Sequence, residues 1–159
     1  MIPGYWLMKS EPSVFSFDDL LHRPGSKDHW EGVRNYEARN NMRAMRKGDL
    51  VLFYHSNCEE PGVAGLAVVV REAYPDHTAF NPSSRYFDPK TDPANPRWFM
   101  VDVKAKEKFS RIVTLREMRG IPALADMRLM QKRQRLSVMP VIREEFMLIC
   151  QLGRTVIQR

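Results

Sequence analysis

Three polar clusters mark the places where this sequence could do chemistry. Residues 9–12 (KSEP) follow a short apolar run, residues 30–36 (WEGVRNY) lead into a predicted helix, and residues 54–57 (YHSN) end a predicted strand. Each cluster puts hydrogen-bonding side chains at the end of an element, where binding groups from separate parts of a chain can converge. Each could also be an ordinary cap, turn or solvated face.

The side chains that could support nucleophilic catalysis do not form a recognisable set. Ser56 follows His55 directly, and neighbouring residues of a strand point to opposite faces, so the two cannot cooperate within a strand. There is no Gly-x-Ser-x-Gly turn, and residues 62–65 (GVAG) are not followed by the Gly-Lys-Ser/Thr of a phosphate loop. Cys58 near His55 is only a weak hint of a thiol enzyme. We therefore expect that the protein is not an enzyme.

Metal and disulfide chemistry are not expected either. Cys58 and Cys150 are far apart and neither belongs to a Cys-x-x-Cys pair, and the four histidines show no His-Glu-x-x-His spacing. We expect no metal, no cofactor and a reducing intracellular compartment. Residues 1–6 lack a basic region ahead of an apolar one, and the apolar run 63–70 is far shorter than the ~20 residues of a membrane helix. Neither secretion nor a membrane partner is expected.

Basic residues interleaved with aromatic ones indicate a nucleic-acid partner. The chain has 25 Lys and Arg against 19 Asp and Glu, a net charge of +6, with positive charge concentrated in residues 34–47 and 128–159. Phosphate binding needs only such charges on one surface, although solvated helix faces would look the same. Trp30, Tyr54 and Trp98 could each stack on a base for ~1–3 kcal/mol. Core packing competes with stacking for Trp98, which lies in an apolar stretch, whereas Trp30 lies among polar residues and should gain little by burial.

The elements that would position these clusters are short. Strands are predicted over residues 5–8, 49–56, 62–72 and 97–113, with a further β-like stretch at 136–138. Helices are predicted after the caps Ser16, Asn35 and Thr114, over 36–45 for the second, and over 140–151 with Gly153 as its end. A helical turn is predicted within 127–134. The five prolines of residues 74–96 predict a long irregular loop, a feature that often has a role.

The order of these elements favours an α+β fold. The 159 residues are enough for one domain. Strands and helices do not alternate regularly, which argues against a doubly wound parallel sheet. We expect a single domain over residues 1–159, built as a small mixed β-barrel with peripheral short helices.

Seven motifs, in order along residues 5–152, resemble those of the EVE domain family. They are YWLMKSEP at 5–12, WEGVRNY at 30–36 with ARN at 38–40, FYHSN at 53–57, GVAG at 62–65, EAYPD at 72–76, PRW at 96–98 with MVDV at 100–103, and RLSV at 135–138. The resemblance implies a PUA-like fold, a small β-barrel flanked by helices and related to ASCH and YTH domains. It also implies that the chain binds a modified nucleobase, a modified cytosine or similar, in DNA or RNA.

The resemblance further implies which residues build the pocket. Carried over by position, they are Lys9, Ser10, Glu11, Trp30, Val33, Arg34, Asn35, Tyr54, His55, Ser56, Trp98, Leu136 and Ser137. The candidate phosphate contacts are Arg39, Lys132, Arg133 and Arg135. Trp30 would be the stacking face, while Asn35 could either read a base edge or cap the second helix. Glu37 stands where many members have Gln, and it would put a negative charge close to the expected phosphate path.

The leading interpretation is therefore a monomeric, non-enzymatic reader of a modified base, cytoplasmic if bacterial and nuclear if eukaryotic. One alternative is an enzyme that acts on a nucleoside or nucleic acid in the same pocket, using His55 or Ser137. Another is a module that recruits a protein partner and whose pocket is vestigial.

Overall fold

The structure is a computed structural model that describes residues 2–132 and 135–155. Within these residues the strands are β1 (Tyr5–Ser10), β2 (Lys27–His29), β3 (Leu50–His55), β4 (Gly62–Pro75), β5 (Phe99–Thr114) and β6 (Val138–Pro140). The α-helices are α1 (Phe17–His22), α2 (Tyr36–Ala44), α3 (Leu115–Arg119) and α4 (Arg143–Arg154). Short 3₁₀ turns lie at Pro24–Ser26, His77–Phe80, Pro122–Leu124 and Arg128–Met130.

The strands form one mixed sheet in the order β2-β5-β4-β3-β1-β6. The β1–β3 pair is parallel, and the other pairs are antiparallel. Several register shifts interrupt the long β4–β5 pair, and such bulges bend the strands that carry them. The predicted α+β class is confirmed, with β2 and β6 as the two edges of the sheet in the described part of the chain.

Local capping signals place the first three helices as the sequence predicts. The Ser16 hydroxyl accepts the Asp19 N–H at 3.0 Å, and the Asp19 carboxylate accepts the Ser16 N–H at 2.8 Å. Asn35 accepts the Ala38 N–H at the start of α2, and the Thr114 hydroxyl accepts the N–H three residues later at the start of α3. Each cap satisfies a backbone donor that the first turn of a helix leaves free.

Other boundaries differ from the sequence predictions because contacts between distant residues set them. The last strand is Val138–Pro140 rather than 136–138, since it takes its register from β1, with Met8 opposite Val138. The helix predicted to end at Gly153 continues to Arg154. A Cβ at Gly153 would lie 2.2 Å from the Phe109 ring, so this glycine allows α4 to approach β5 rather than ending the helix.

The core lies between the sheet and the helices. Its fully buried side chains include Leu7 of β1, Phe17 and Leu20 of α1, Met42 of α2 and Phe53 of β3. Burying each such side chain contributes about 1.5–3 kcal/mol, so the strand ends that border this core are held firmly. No helix of residues 2–132 and 135–155 is both long enough and apolar enough to span a bilayer.

The sheet topology brings the first and third polar clusters together. Because β1 and β3 run parallel, both strands end at the same edge, with Ser10 opposite His55. The Ser56 N–H donates to the Ser10 carbonyl at 2.9 Å just beyond that pair. The Trp30 N–H donates to the Val101 carbonyl at 2.8 Å, one residue past the β2–β5 ladder.

Candidate nucleic-acid interface

A cleft of about 980 Å³, called here the first cleft, opens where the three clusters meet. This volume is at the upper end of the roughly 300–1,000 Å³ typical of small-ligand sites. The cleft is lined by Lys9, Ser10, Glu11, Val14, Phe15, Arg23, Asp28, His29, Trp30, Glu31, Gly32, Val33, Arg34, Ser56, Asn57, Arg85, Tyr86, Arg135 and Ser137. Eight of these are predicted pocket residues: Lys9, Ser10, Glu11, Trp30, Val33, Arg34, Ser56 and Ser137.

One wall of the first cleft is made by strand ends that hydrogen bonds lock together. The Lys9 N–H donates to the Ser137 carbonyl at 2.8 Å, which fixes the start of β6 beside β1. The Ser10 hydroxyl donates to the Phe15 carbonyl at 2.6 Å, and the Asn57 amide donates to Glu11 at 3.1 Å. The polar side chains of this wall are therefore held in place before any ligand arrives.

Lys9 brings an uncompensated charge into the cleft. Its ammonium lies 5.9 Å from the centre of the Tyr54 ring. Burial lowers the pKa of Lys9 below its ordinary value of 10.5, and no carboxylate counters that shift. A ligand acceptor at this position would give the ammonium the partner that the described protein does not supply.

Trp30 forms the floor of the cleft and is also part of the core. Its ring packs edge-on against Phe53, with centroids 5.2 Å apart, and against Phe15 at 6.4 Å. Trp30 is only 7% exposed, so the expectation that it gains little by burial is wrong. Its polar sequence neighbours face outward, whereas the β2–β5 pairing turns the indole inward.

Asp76 organises the wall opposite the strand ends. Its carboxylate is fully buried and accepts hydrogen bonds from the Gly32 N–H at 2.9 Å and from Arg34 at 3.0 Å. Burial alone would raise the pKa of Asp76, but the bonds from Thr78, Gly32 and Arg34 outweigh it and hold the pKa below 3.8. The carboxylate is therefore charged and binds the cluster at 30–36 to the proline-rich loop.

Gly32 and Tyr86 fit together at the rim of this wall. Gly32 has φ +85°, in the left-handed region that favours glycine, and a Cβ there would lie 2.6 Å from the Tyr86 ring. Arg34 donates to the Tyr86 carbonyl at 2.7 Å. A side chain at position 32 would push the loop away from the cleft.

Five predicted pocket residues do not line the first cleft: Asn35, Tyr54, His55, Trp98 and Leu136. Tyr54 is 3% exposed, and burial raises its pKa to about 12. His55 points to α1, where its Nε2 accepts the Phe17 N–H at 3.1 Å. Asn35 caps α2, and Leu136 is buried in the core.

Trp98 lies behind the cleft rather than in it. Its indole N–H donates to Asp88 at 2.7 Å, and its ring stacks on Tyr36 with centroids 5.0 Å apart. The Arg34 guanidinium lies 5.5 Å from the same ring. Core packing, the competing explanation offered by the sequence, describes Trp98 better than base stacking does.

The predicted phosphate contacts are spread over the surface. Arg135 lines the first cleft, and Arg39 lines a separate cleft beside α2. Lys132 is exposed and lines neither. Arg133 lies outside the described residues.

Several cleft residues were not predicted from the sequence, notably Phe15, His29, Arg85 and Tyr86. Arg85 and Tyr86 come from the proline-rich loop, whose unusual length was the one available signal. Phe15 and His29 gave no signal, because only the packing of α1 and β2 turns them to the cleft.

Basic side chains outnumber acidic ones in the lining of the first cleft. Five basic side chains line it, against three acidic ones: Lys9, Arg23, Arg34, Arg85 and Arg135, and Glu11, Asp28 and Glu31. His29 lies between two of the carboxylates, 3.2 Å from Asp28 and 3.4 Å from Glu31. In residues 2–132 and 135–155 no group of His, Cys, Asp and Glu is arranged to hold a metal ion.

Comparison with known proteins identifies relatives over nearly the whole chain. Human thymocyte nuclear protein 1 is 44% identical over 163 residues, which cover 91% of this chain and 72% of that protein. A hypothetical protein from Leishmania major is similar in structure, with a TM-score of 0.91 and 51% identity over 96% of this chain and 95% of its own.

Two structures solved with nucleic acid share the fold. The human THYN1 protein in complex with DNA containing 5-methylcytosine has a TM-score of 0.90 and 41% identity, covering 97% of this chain and 99% of its own. The YTH domain of Zygosaccharomyces rouxii MRB1, solved with N6-methyladenosine RNA, is 13% identical with a TM-score of 0.54 over 99% of this chain and 88% of its own. This second likeness concerns the fold alone, which is of the PUA-like type.

The sequence model of the EVE domain matches residues 4–152. Together with the extent of the human relative, this match shows that the chain belongs to the EVE domain family.

Proposed function

We propose that this chain binds one modified nucleobase, 5-methylcytosine in DNA, in the first cleft and does so without catalysis. The observation that carries the proposal is the convergence of an aromatic floor, polar side chains and a cationic rim in one cleft. The human THYN1 protein, whose structure contains DNA with 5-methylcytosine, supports the choice of ligand.

Aromatic surface would compensate for removing the base from its stack. Flipping a base out of a duplex costs a few kcal/mol, and stacking on an aromatic side chain returns about 1–3 kcal/mol. Trp30 and Phe15 offer such surface, and their rings stand nearly perpendicular, at 81°. A base that stacks on one ring would therefore lie nearly perpendicular to the other.

The polar groups of the cleft complement the edge of cytosine. Its exocyclic amine needs an acceptor, a role that carboxylates fill well, and Glu11 and Glu31 line the cleft. Its carbonyl needs a donor, which Lys9 or the Ser137 hydroxyl can provide. Once a bound base shields these groups from water, each one that it leaves unpaired would cost about 1–3 kcal/mol.

The methyl group itself should contribute modestly. Burying one methyl-sized group is worth about 0.8 kcal/mol, which is roughly a fourfold difference in affinity. We therefore expect a preference for the modified base of several-fold rather than thousands-fold.

The position of His55 does not favour the alternative of an enzyme that uses this residue. His55 does not line the first cleft, and its Nε2 is occupied by the Phe17 N–H. Burial lowers the pKa of His55, and this exceeds the opposing effect of Asp18 and Asp19. Ser137 lines the cleft, but the imidazole of His55 is turned toward α1 and away from it.

A titration with matched oligonucleotides tests the proposal. Fluorescence anisotropy would compare strands that carry one 5-methylcytosine or one cytosine, as DNA and as RNA, at fixed salt. Ser137→Phe would place a bulky ring in the cleft next to Lys9 and should reduce binding of both DNA strands at least tenfold. Ser110→Phe makes the same change at an exposed residue outside the cleft and should bind as the wild type does.

Four results would contradict the proposal. Equal affinity for both DNA strands, or unchanged binding by Ser137→Phe, would reject the first cleft as a reader of methylcytosine. A change in base composition after incubation, measured by mass spectrometry and lost in Ser137→Ala, would favour an enzyme. No affinity for nucleic acid at low salt would favour a module that recruits a protein.

A further inference from the structure

A second cleft, of about 390 Å³, lies between α2 and the end of the proline-rich loop. The side chains of interest here are Tyr36, Arg39, Arg43, Lys90, Asp92 and Arg97. The proposed base-binding site uses none of them.

The second cleft collects cations that lack counter-charges. Arg39, Arg43 and Lys90 form no ion pair within the described part of the chain, and Arg43 lies 4.6 Å over the Phe99 ring. The carboxylate of Asp92, the acidic residue of this cleft, accepts the Ala94 N–H at 2.9 Å within its own turn. The cleft keeps a net positive charge, and a concave surface with a net positive charge attracts anions.

Glu37 does not neutralise this surface. Arg128 donates to both of its carboxylate oxygens, at 2.9 and 3.0 Å. The repulsion that the sequence suggested along a phosphate path is therefore balanced by a neighbouring cation.

A series of ring contacts joins the two clefts. The Arg34 guanidinium lies 5.5 Å from the Trp98 ring, Trp98 stacks on Tyr36 at 5.0 Å, and the Arg39 guanidinium lies 4.9 Å from the Tyr36 ring. Arg39 also donates to the Arg97 carbonyl at 3.0 Å, which ties α2 to the loop. One guanidinium is thus held in each cleft, and their separation is set by packed rings.

The two clefts are close enough to contact one strand. Arg34 lines the first cleft and Tyr36 the second, and residues two positions apart have Cα atoms within about 7 Å. The proline-rich loop supplies Arg85 to the first cleft and Lys90 to the second. In duplex DNA each strand carries one phosphate per about 3.4 Å of helix axis, so several phosphates lie close to any recognised base.

We propose that the second cleft binds the phosphates that flank the recognised base, so that the strand runs from the first cleft over Tyr36 to Arg39, Arg43 and Lys90. This inference rests on the proposed function of the first cleft. The ligand is the phosphodiester backbone, and its contacts are the same whether or not the base is methylated.

The test removes two of these cations and measures how affinity depends on salt. In Arg43→Gln/Lys90→Gln the slope of log affinity against log salt for a single strand should fall by about 1.4, because each contact contributes about 0.7. When the salt concentration rises from about 50 to 200 mM, the affinity of the wild type should therefore fall by a factor roughly sevenfold larger than that of the variant. The methylated and unmethylated strands should change equally.

A matched variant and modified strands identify the site of the effect. Arg116→Gln/Arg143→Gln removes the same charge from exposed residues that line neither cleft, and its slope should stay within about 0.3 of the wild type. Single methylphosphonates, which are uncharged, would replace each phosphate next to the 5-methylcytosine in turn. At one or more of these positions, the methylphosphonate should weaken binding by the wild type. The same substitution should leave binding by Arg43→Gln/Lys90→Gln unchanged.

The outcomes separate this inference from the function on which it rests. An unchanged slope in Arg43→Gln/Lys90→Gln, with the methylcytosine preference intact, would overturn the second cleft alone. An equal fall in both double variants would also overturn it, because net charge would then explain the result. A wild-type protein that binds neither strand would overturn both proposals.

Discussion

Trp30 has two roles whose requirements differ. As the cleft floor it must present ring surface to a ligand, and as a core residue it must fill the space beside Phe53 and Phe15. Removing a buried Trp side chain lowers the free energy of unfolding by about 3–5 kcal/mol. A loss of binding in Trp30→Ala could therefore reflect unfolding as well as a lost contact with the ligand. A smaller aromatic residue separates the two roles.

We predict that Trp30→Phe folds and binds the methylated strand about fivefold more weakly, since part of the ~1–3 kcal/mol of stacking is lost. Urea unfolding would report stability and anisotropy would report affinity. Trp6→Phe is the control, because Trp6 donates its indole N–H to Asp49 and lines neither cleft. If Trp30→Phe kept wild-type affinity at reduced stability, the indole would belong to the core alone.

Because of Lys9, we predict that binding and stability depend on pH in opposite directions. Burial lowers its pKa below 10.5 in the folded protein, so the unfolded chain holds the proton more tightly and this group makes stability rise with pH. A ligand acceptor favours the charged ammonium, so affinity should fall as the pH rises through the folded pKa. The pH range over which affinity falls therefore lies below 10.5, the ordinary pKa of lysine.

The measurement titrates a strand of cytosine, 5-methylcytosine and adenine between about pH 7.5 and 10. Guanine and thymine are omitted because their ring N–H groups lose protons at high pH. Wild-type affinity should decline across this range, and Lys9→Gln should bind more weakly with a flatter profile. Parallel profiles for the two proteins would show that Lys9 does not contact the ligand.

At the scale of elements, the buried Asp76 carboxylate connects the segment before α2 to the loop that completes the cleft. Its partners, Gly32 and Arg34, come from that segment, and Thr78 comes from the loop. The ion pair is only partly shielded, because the Arg34 side chain is 23% exposed. Breaking the network should therefore affect both stability and the shape of the cleft.

We predict that Asp76→Asn lowers the free energy of unfolding by about 3 kcal/mol, the lower end for a buried pair that loses one partner. The contribution is complete above pH 3.8 and is lost as the pH falls through the lowered folded pKa. A double-mutant cycle with Arg34→Gln in urea should give a coupling energy of at least about 1 kcal/mol. Additive effects would contradict the ion pair.

The elements also show what a sequence can reveal about this fold. Ser16, Asn35 and Thr114 act within four residues, so the helix starts they mark could be read from local pattern. The short strand β2 and the register of β6 depend on pairing with distant strands, which no local pattern encodes.

The same division between local and distant contacts applies to the candidate site. Lys9 near the end of β1 and Ser56 just after β3 belong to motifs that could be recognised, and both line the cleft. Asp76 is 42 residues from Arg34, and nothing in the sequence joins them. The orientation of His55 toward α1 likewise required the packing of that helix.

At the scale of the whole molecule, some of the cations that lie outside the clefts are paired with carboxylates in the described part of the chain. Arg154 donates to Glu107 at 2.8 and 2.9 Å, and Arg111 pairs with Glu117. We expect the cations of the two clefts to make the close phosphate contacts, while the net charge of +6 adds a general attraction for nucleic acid. Binding would then combine an ionic part that depends on salt and a base-specific part that does not.

This separation leads to a prediction for the intact protein. Between about 50 and 200 mM salt, four phosphate contacts with a single strand would lower the affinity roughly 50-fold. The ratio of affinities for methylated and unmethylated strands should remain about fourfold throughout, because burying a methyl group releases no counterions. Lys132→Gln/Arg135→Gln should flatten the salt slope by up to about 1.4 without changing that ratio, whereas Arg116→Gln/Arg143→Gln should change neither. A methylation preference that disappeared at high salt would mean that the modified base is sensed through backbone contacts and not through the floor of the first cleft.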